Sequence, residues 1–277
     1  MPVIAMNQEM GSQGKLVAER LAADLGLDIV RHEIIDHLAE KMHVRKSALQ
    51  RFVEGKAGLI ERWGTDEASL ALFKVEEILE LAVKGNVIIR GWGATHVLRP
   101  IPHIPCVRVG APFATRLKWV MNSLGTDDED MVAEEIRHSD AAHRANMQRQ
   151  FGVTWGEPMQ YDLTLNTERL SVATCVELIK QLLNRPEFEE TPESHARLAN
   201  LTLEYRVRAA LRAHASTADV KIAISADHGK VLLEGIVVSA DERHAIVNVV
   251  SHVEGVKGVN DKLRVMKDIK IFPSSKT

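Results

Sequence analysis

Residues 3–15 read VIAMNQEMGSQGK, and this stretch decides the fold of the first part of the chain. The apolar run at its start, Val3 to Met6, is short and bounded by polar residues, which is typical of a buried parallel strand. Beyond Lys15, apolar residues recur at helical spacing as far as Gly26, which predicts a helix. A strand, a glycine-containing loop and a helix in this order direct backbone N–H groups at an anion. The stretch therefore predicts a phosphate-binding loop.

The loop carries residues that suit such a site. Gly11 and Gly14 permit a tight backbone path. Lys15 stands at a helix start, where the helix dipole disfavours a cation unless an anion is bound. The predicted phosphate-binding residues are Gly11, Ser12, Gln13, Gly14 and Lys15. An ordinary strand-to-helix turn with a solvated lysine would carry the same residues, so the loop alone leaves both interpretations open.

The loop matches the P-loop pattern GxxxxGK[ST] only in part. Gly14 and Lys15 fall in place, whereas Glu9 stands at the first glycine position. Leu16 replaces the hydroxyl residue that would help to bind Mg²⁺. The pattern is therefore half present: the loop keeps Gly14 and Lys15 for phosphate contacts and lacks the hydroxyl that follows the lysine.

Strand-like runs alternate with helical patterns beyond the first helix. The strand-like runs are 27–30, 86–91, 106–112 and 161–167, and the helical patterns are 33–42, 47–62, 66–84 and 172–183. This alternation predicts an α/β domain in which helices cover both faces of a parallel sheet. Ligands of such domains bind beyond the carboxyl ends of the strands. We therefore expect the site at the loops after Met6, Ile89 and Val109.

Composition and charge exclude several classes of protein. The 277 residues are 45% hydrophobic and 26% charged, as in a folded globular protein. The net charge of -3 argues against nucleic acid as a partner. The N-terminus has no basic leader and no stretch reaches spanning length, so we expect no membrane span and a cytoplasmic location. Cys106 and Cys175 lack CxxC spacing and are expected to be buried small hydrophobes.

A change in composition divides the chain. Residues 185–197, RPEFEETPESHAR, have two prolines, several glutamates and almost no apolar periodicity, which is typical of a linker. The segments that follow predict a helix at 201–214, strands at 220–225 and 230–238, a helix at 241–253 and a strand at 258–266. Their order is αββαβ. We predict domains at 1–184 and 198–268, a linker at 185–197 and a tail at 269–277.

The segment NQEMGSQGK at 7–15 resembles the loop of the bacterial cytidylate-kinase-like family, which reads roughly RE(F/Y)GSGG(R/K). The resemblance continues through RHEIIDHLAEK at 31–41, IIRGWGATHVL at 88–98, VGAPFATRL at 109–117 and the segment 136–167. It implies the P-loop fold of a nucleoside monophosphate kinase. The implied cofactor is ATP or another nucleotide, with Mg²⁺ if the protein is catalytically active.

The resemblance also implies roles for single residues. Residues 11–15 would face the donor phosphates. The candidate catalytic residues are Arg116, Arg137, Asp140 and Arg144. The candidate acceptor-binding residues are Arg31, Glu33, Asp36, Arg90, Trp92 and His143. Phosphoryl transfer needs positive charge around the phosphate oxygens, which is why arginines suit these positions.

Several positions depart from the family pattern. The family's D-x-x-R appears as Asp140-Ala-Ala-His143, with Arg144 one residue late. Its G-R-G appears as residues 91–93 with tryptophan in the middle, and Arg90 stands one residue early. A long arginine side chain that is shifted by one position can still reach the same phosphate. Alternatively, the losses together weaken phosphoryl transfer while nucleotide binding survives.

The sequence leads to three hypotheses. The leading one is a nucleotide-binding protein of kinase-like fold with divergent catalytic machinery. The second is an active nucleoside monophosphate kinase that uses ATP and Mg²⁺, with CMP as the acceptor implied by the resemblance. The third is a non-catalytic scaffold that serves homo-oligomerisation.

The C-terminal module, from residue 201 to residue 265, resembles the BON domain. The resemblance rests on GKVLLEGIV at 229–237 and VEGVKGVNDKLRV at 253–265. It implies a small α+β unit with a binding or regulatory role and an unidentified ligand. The glycines of these segments are expected to serve turns and close packing.

Overall fold

The structure is a computed structural model and describes residues 2–30, 67–91 and 93–266. The chain divides into two compact units, Met1–Ser194 and His195–Thr277. The helices expected at 33–42 and 47–62 lie outside the described residues. The domain boundaries at 184 and 198 stay a prediction.

Five strands of the described first unit form one parallel sheet. They are β1 (Val3–Gln8), β2 (Asp28–Val30), β3 (Val87–Arg90), β4 (Cys106–Gly110) and β5 (Leu163–Asn166). Their order across the sheet is β2-β3-β1-β4-β5, and every neighbouring pair is parallel. The α/β class predicted from the alternation of strands and helices is confirmed.

Helices cover both faces of this sheet. They are α1 (Gly14–Leu25), α2 (Glu67–Lys84), α3 (Ala94–Val97), α4 (Phe113–Leu124), α5 (Glu129–Phe151) and α6 (Val172–Leu183), with a 3₁₀ turn at Pro158–Gln160. Because side chains alternate along a strand, Ile4 and Met6 join the core that contains α1 and α6. Val3 and Ala5 are buried as well. On the α2 and α3 side, α2 contacts β3 while α3 contacts β1 and β4. Burial on both faces explains the continuous apolar run.

The central position of β1 brings three strand ends together. β1 lies between β3 and β4, with Met6 opposite Arg90 and Gln8 opposite Val109. Since the strands are parallel, their carboxyl ends meet at one edge of the sheet. The loops after β1, β3 and β4 therefore lie side by side at that edge.

The second unit is a small α+β module. Its strands β6 (Ala223–Asp227), β7 (Lys230–Val237) and β8 (Gly258–Val265) are ordered β6-β7-β8, with β6 antiparallel and β8 parallel to β7. The helices that pack with them are α7 (Pro192–Ala213) and α8 (Ala240–Ser251). Val207, Val231 and Val250 are among the side chains of their shared core. The predicted order αββαβ is confirmed.

Helix α7 begins at Pro192 and not at Leu201, where apolar periodicity becomes visible. Proline is tolerated in the first turn of a helix because the N–H that it lacks has no partner within the helix there. The Thr191 hydroxyl accepts the N–H of Ser194 at 3.1 Å, and the Ser194 hydroxyl accepts the N–H of Thr191 at 3.0 Å. This reciprocal cap fixes the helix start within the predicted linker. A 3₁₀ turn precedes it at Pro186–Phe188.

Both cysteines are buried, as predicted. Burial raises the pKa of the Cys106 thiol to about 12, with a further rise from the Asp162 carboxylate that Arg99 opposes. Burial also raises the pKa of Cys175. A thiol that stays protonated is a poor nucleophile, so these residues serve packing.

No helix within residues 2–30, 67–91 and 93–266 is both long and apolar enough to cross a bilayer.

Candidate phosphate-binding site

The loop between β1 and α1 follows a tight backbone path. Gly11 has a φ of 80°, and a Cβ at this position would lie 2.8 Å from the carbonyl oxygen of Arg116. Only glycine fits both conditions. The Ser12 hydroxyl donates to the Glu9 carbonyl at 2.7 Å, and the Ser12 carbonyl accepts from the Thr167 hydroxyl at 2.9 Å. The loop is thus held from within and from the end of β5.

The start of α1 leaves backbone N–H groups open to the loop. Gln13 ends the loop in the left-handed conformation, with φ 58° and ψ 10°, and its side chain makes no capping hydrogen bond. Its carbonyl oxygen accepts the N–H of Val17. The N–H groups of residues 14–16 have no acceptor within the helix, as in any first turn. Such a turn is a binding site for anions.

Lys15 lies on the solvent side of α1. Its side chain is 65% exposed, and its Nζ lies 3.6 Å from Glu19 Oε1, one turn along the helix. An exposed pair of this kind contributes about 0–1 kcal/mol. Lys15 can therefore leave Glu19 and contact a ligand phosphate with little loss of free energy. The neighbouring Leu16 is 39% exposed and brings no polar atom to the loop.

Glu9 connects the loop to β4. Its Oε1 accepts from Arg108 Nη2 at 2.6 Å, and its Oε2 accepts from the N–H of Ala111 at 3.1 Å. A Cβ on Gly110 would lie 2.9 Å from Glu9 Oε2, so glycine leaves room for the carboxylate. Arg108 also donates to Asn7 Oδ1 at 3.2 Å. The residue at the first glycine position of the P-loop pattern therefore anchors the loop.

Arg116 of α4 and Asp140 of α5, both predicted to be catalytic, form a two-pronged ion pair. The distances are 3.1 Å between Nη1 and Oδ1 and 2.8 Å between Nη2 and Oδ2, and the side chains are only 6% and 12% exposed. Arg116 Nη1 also donates to the Met10 carbonyl at 3.3 Å. Arg116 Nε lies 3.7 Å from Glu9 Oε2, beyond hydrogen-bond distance. The structure brings the two residues together so that each compensates the other's charge.

The other two candidate catalytic arginines of α5 are exposed. The Cζ of Arg137 lies 5.1 Å from the centre of the Phe113 ring, and the Cζ of Arg116 lies 5.7 Å from the same ring. Arg144 lies on the exposed surface of α5. These two side chains keep access to a ligand from solvent.

His143 stacks on an aromatic residue that the sequence did not single out. The ring centres of His143 and Trp155 are 5.2 Å apart, and His143 Nδ1 lies 2.8 Å from the Ser139 carbonyl oxygen. A carbonyl accepts hydrogen bonds only, so Nδ1 carries the proton. The guanidinium carbon of Arg108 lies 4.8 Å from the centre of the Trp155 ring. Trp155 thus connects α5 to the end of β4.

Arg90, a candidate acceptor-binding residue, reaches the start of α1. It is the last residue of β3 and is 5% exposed. Its Nη2 donates to Gln8 Oε1 at 3.0 Å. The Gln8 side chain in turn packs on Gly14, where a Cβ would lie 2.7 Å from Gln8 Cβ and 2.8 Å from Gln8 Oε1. Glycine is therefore required at position 14, because only glycine lets the Gln8 side chain lie this close to the start of α1.

A buried lysine, Lys74 of α2, contacts the end of α5. Its Nζ donates to Gln150 Oε1 and lies 5.0 Å from the centre of the Phe151 ring. Phe151 packs on Gly93, and its ring centre lies 5.0 Å from that of His96. Burial lowers the pKa of Lys74 to about 7 and also lowers the pKa of His96. This contact connects α5 to the segment that follows β3.

Residues from distant segments thus assemble at the carboxyl edge of the sheet. The loop 11–15, Arg90 and the Arg116–Asp140 pair meet there, whereas Arg31, Glu33, Asp36 and Trp92 lie outside the described residues. Sequence reasoning missed Gln8, Arg108, Trp155 and Thr167. Arg108 gave one usable signal, since it is a charged residue inside the apolar run of a buried strand.

The described residues at the loop do not fit a Mg²⁺ ion. Mg²⁺ takes oxygen ligands, usually one or two carboxylates with waters and phosphates. Leu16 has no such atom, and the carboxylates of Glu9 and Asp140 are engaged by Arg108 and Arg116. Across residues 2–30, 67–91 and 93–266, no three His, Cys, Asp or Glu side chains are grouped to hold a metal ion.

Both parts of the chain match models of known protein families. Residues 3–169 match the model of the cytidylate kinase-like family. The chain belongs to this family. Residues 200–267 of this cytidylate kinase-like protein match the BON domain. Both resemblances predicted from the sequence are confirmed. No curated protein matches the chain.

Several solved structures are similar to part of this cytidylate kinase-like protein. An uncharacterized protein from Eubacterium ventriosum is 20% identical, with a TM-score of 0.53 over 67% of this chain and 100% of that chain. Shikimate kinase from Bacteroides thetaiotaomicron is 14% identical, with a TM-score of 0.38 over 66% and 99%. The YorR protein from Bacillus subtilis, in complex with phosphorylated GDP, is 14% identical, with a TM-score of 0.40 over 68% and 99%. At 20% identity, the similarity to the Eubacterium ventriosum protein concerns the fold alone.

Proposed function

We propose that this cytidylate kinase-like protein binds a nucleotide by its phosphates at the loop 11–15, with ATP as the first candidate. The observation that carries the proposal is the open first turn of α1, next to a loop that Glu9 and Thr167 already hold. N–H groups, the helix dipole and Lys15 would together stabilise the phosphate. Because the loop is preorganised, binding loses little free energy to ordering.

In this proposal phosphoryl transfer is weak or absent. Transfer needs cations fixed over the migrating phosphoryl group and Mg²⁺ between the phosphates. Asp140 compensates the charge of Arg116. Because the Asp140 carboxylate is held in this ion pair, it is not available to hold a metal ion. His143 is bonded to backbone and stacked on Trp155. Backbone N–H groups would contact the phosphate without any atom of these side chains.

One observation favours the second candidate, an active nucleoside monophosphate kinase. Arg90 extends from the end of β3 to Gln8 and the start of α1, so its guanidinium lies beside the loop. There it would stabilise charge on a transferring phosphoryl group. CMP is then the acceptor to test first, since the chain belongs to the cytidylate kinase-like family.

The BON domain would act as a separate binding or regulatory module. It has its own hydrophobic core, so it can respond to a ligand or to a second copy of the chain without remodelling the first unit. Because the ligand proposed for the first unit is a nucleotide, we propose a cytoplasmic location for the protein. Sedimentation of the full chain with and without ATP tests whether nucleotide binding changes the oligomeric state.

The direct test of nucleotide binding is Lys15→Ala. We expect the wild type to gain thermal stability with one or more of ATP, ADP, CMP and cyclic nucleotides, by about 2.7 kcal/mol at a hundredfold excess over Kd. Lys15→Ala should raise Kd about tenfold, the loss of one charge-assisted hydrogen bond. Lys84→Ala is the matched control, because Lys84 is exposed and precedes β3 at the opposite edge of the sheet. A wild type that binds no nucleotide would contradict the proposal.

A further inference from the structure

Phe113 lies where the phosphate-binding loop, α4 and α5 meet. It is the first residue of α4 and is half-buried. Two positions before it, the N–H of Ala111 donates to Glu9 Oε2 at 3.1 Å, so the start of α4 is tied to the residue that anchors the loop. The Phe113 side chain packs on the small core between α4 and α5, and Met10 of the loop packs on the same core. The Phe113 ring therefore lies close to the loop.

Two guanidinium groups contact the Phe113 ring, and their surroundings differ. The Cζ of Arg116 lies 5.7 Å from the ring centre, and the Cζ of Arg137 lies 5.1 Å from it. Arg116 is buried and paired with Asp140. Arg137 is exposed, and in the described part of the chain no carboxylate lies within ion-pair distance of it. An aromatic ring attracts a guanidinium through its electron-rich face but has no net charge, so the ring orients Arg137 without compensating its charge.

We propose that Phe113 is a positioning residue whose ring holds the Arg137 guanidinium near the loop 11–15 for contact with a ligand phosphate. The inference rests on the proposed function and deepens it, because it assigns the phosphate a second contact besides the N–H groups of α1. The class of ligand is then a pyrophosphate or a nucleoside phosphate. A nucleoside without phosphate would not use Arg137.

The reason for a ring at this position is conformational entropy. A long exposed side chain samples many rotamers, and a ligand that fixes it loses part of the binding free energy to that ordering. A contact with an aromatic face restricts the guanidinium before the ligand arrives. At an exposed site such a contact corresponds to about a threefold change in affinity.

A double-mutant cycle separates positioning from a purely structural role. Phe113→Leu removes the ring and keeps an apolar side chain on the small core. If Phe113 acts through Arg137, the loss of affinity should disappear when Arg137 is replaced as well. If Phe113 serves the fold alone, the loss should be the same with and without Arg137.

The experiment is titration calorimetry of the full chain with sodium pyrophosphate, ATP and cytidine. We expect Phe113→Leu to bind pyrophosphate and ATP about threefold more weakly than the wild type. Arg137→Gln should bind them about tenfold more weakly, the loss of one charge-assisted hydrogen bond. The double variant should bind like Arg137→Gln. Phe113→Tyr keeps the ring and should bind like the wild type, and any affinity for cytidine should be unchanged in every variant.

Leu117→Val is the matched control, because Leu117 packs on the same small core and has no ring to offer Arg137. It should bind like the wild type, and a loss as large as that of Phe113→Leu would overturn the inference. If Phe113→Leu does not fold, Phe113→Met replaces it with the same expected results, since methionine also fills the core without a ring.

Three further results would overturn the inference and leave the proposed function intact. They are wild-type affinity for pyrophosphate and ATP in Phe113→Leu, wild-type affinity in Arg137→Gln, and an equal loss from Phe113→Leu in both backgrounds. A wild type that binds neither pyrophosphate nor ATP would overturn the inference and the proposed function together.

Discussion

Arg116 and Asp140 face each other across α4 and α5 in a two-pronged ion pair, with N–O distances of 3.1 and 2.8 Å. The pair is mostly buried, and Arg116 also donates to the Met10 carbonyl in the loop. Two residues that the sequence nominated for catalysis therefore also fix the position of the loop. The contribution of this pair to the fold can be measured.

Asp140→Asn should lower stability because it leaves the buried Arg116 charge without its partner. Removing one member of a buried pair costs about 3 kcal/mol or more. Glu134→Gln removes a carboxylate from an exposed position on the same helix and should change stability by less than about 0.5 kcal/mol. Urea unfolding monitored by tryptophan fluorescence reports the first unit, where all four tryptophans lie. Unchanged stability of Asp140→Asn would show that the pair does not support the fold.

Because of Lys74, the free energy of unfolding of the first unit should increase as pH rises above 7. Burial lowers the pKa of this lysine from the ordinary lysine value of about 10.4 to about 7. Between these values the unfolded chain binds the proton and the folded chain does not, so stability rises with pH. The gain is at most about 1.4 kcal/mol per pH unit.

Lys74→Met should remove this dependence, whereas Lys118→Met, at an exposed position of α4, should preserve it. Urea unfolding at pH 7, 8 and 9 is the measurement. Higher pH is avoided because Cys106, whose pKa is raised to about 12, acts in the opposite direction above pH 9. Parallel pH profiles for Lys74→Met and wild type would contradict the account of this lysine.

The short segment between α6 and α7 should be cut first by a glutamate-specific protease. Glu187, Glu189 and Glu190 are exposed there, and they precede the capped start of α7 at Pro192. Fragments of about 20 and 10 kDa are expected from two domains of these lengths. First cleavage inside both compact units, with this segment spared, would contradict the predicted division into domains.

Much of the fold was predictable because it depends on local patterns. The apolar run of β1 and the helical spacing after Lys15 each reflect burial of one element, and the observed bounds of α6 match the predicted ones. The start of α7 was missed, since a cap formed by Thr191 and Ser194 with Pro192 inside the first turn has the composition of a linker.

The site was less predictable because its contacts join distant residues. The ion pair of Glu9 with Arg108 spans 99 positions, and the hydrogen bond of Gln8 with Arg90 spans 82. No local sequence pattern predicts which of these polar and charged residues contact each other. The sequence therefore predicted the loop and showed Glu9 as a mismatch to the general P-loop pattern, but it did not predict that Glu9 anchors the loop to β4.

The central claim is that the protein binds a nucleotide but transfers its phosphoryl group weakly or not at all. One assay tests this claim most directly. Purified protein is incubated with ATP, Mg²⁺ and each nucleoside monophosphate in turn, and ADP release is followed beside a parallel measurement of ATP binding. The account predicts measurable binding with turnover at least about a thousandfold below ordinary kinase rates, since a single cation at such a site can contribute that much. Turnover of about 1–100 per second with CMP or another monophosphate would contradict it.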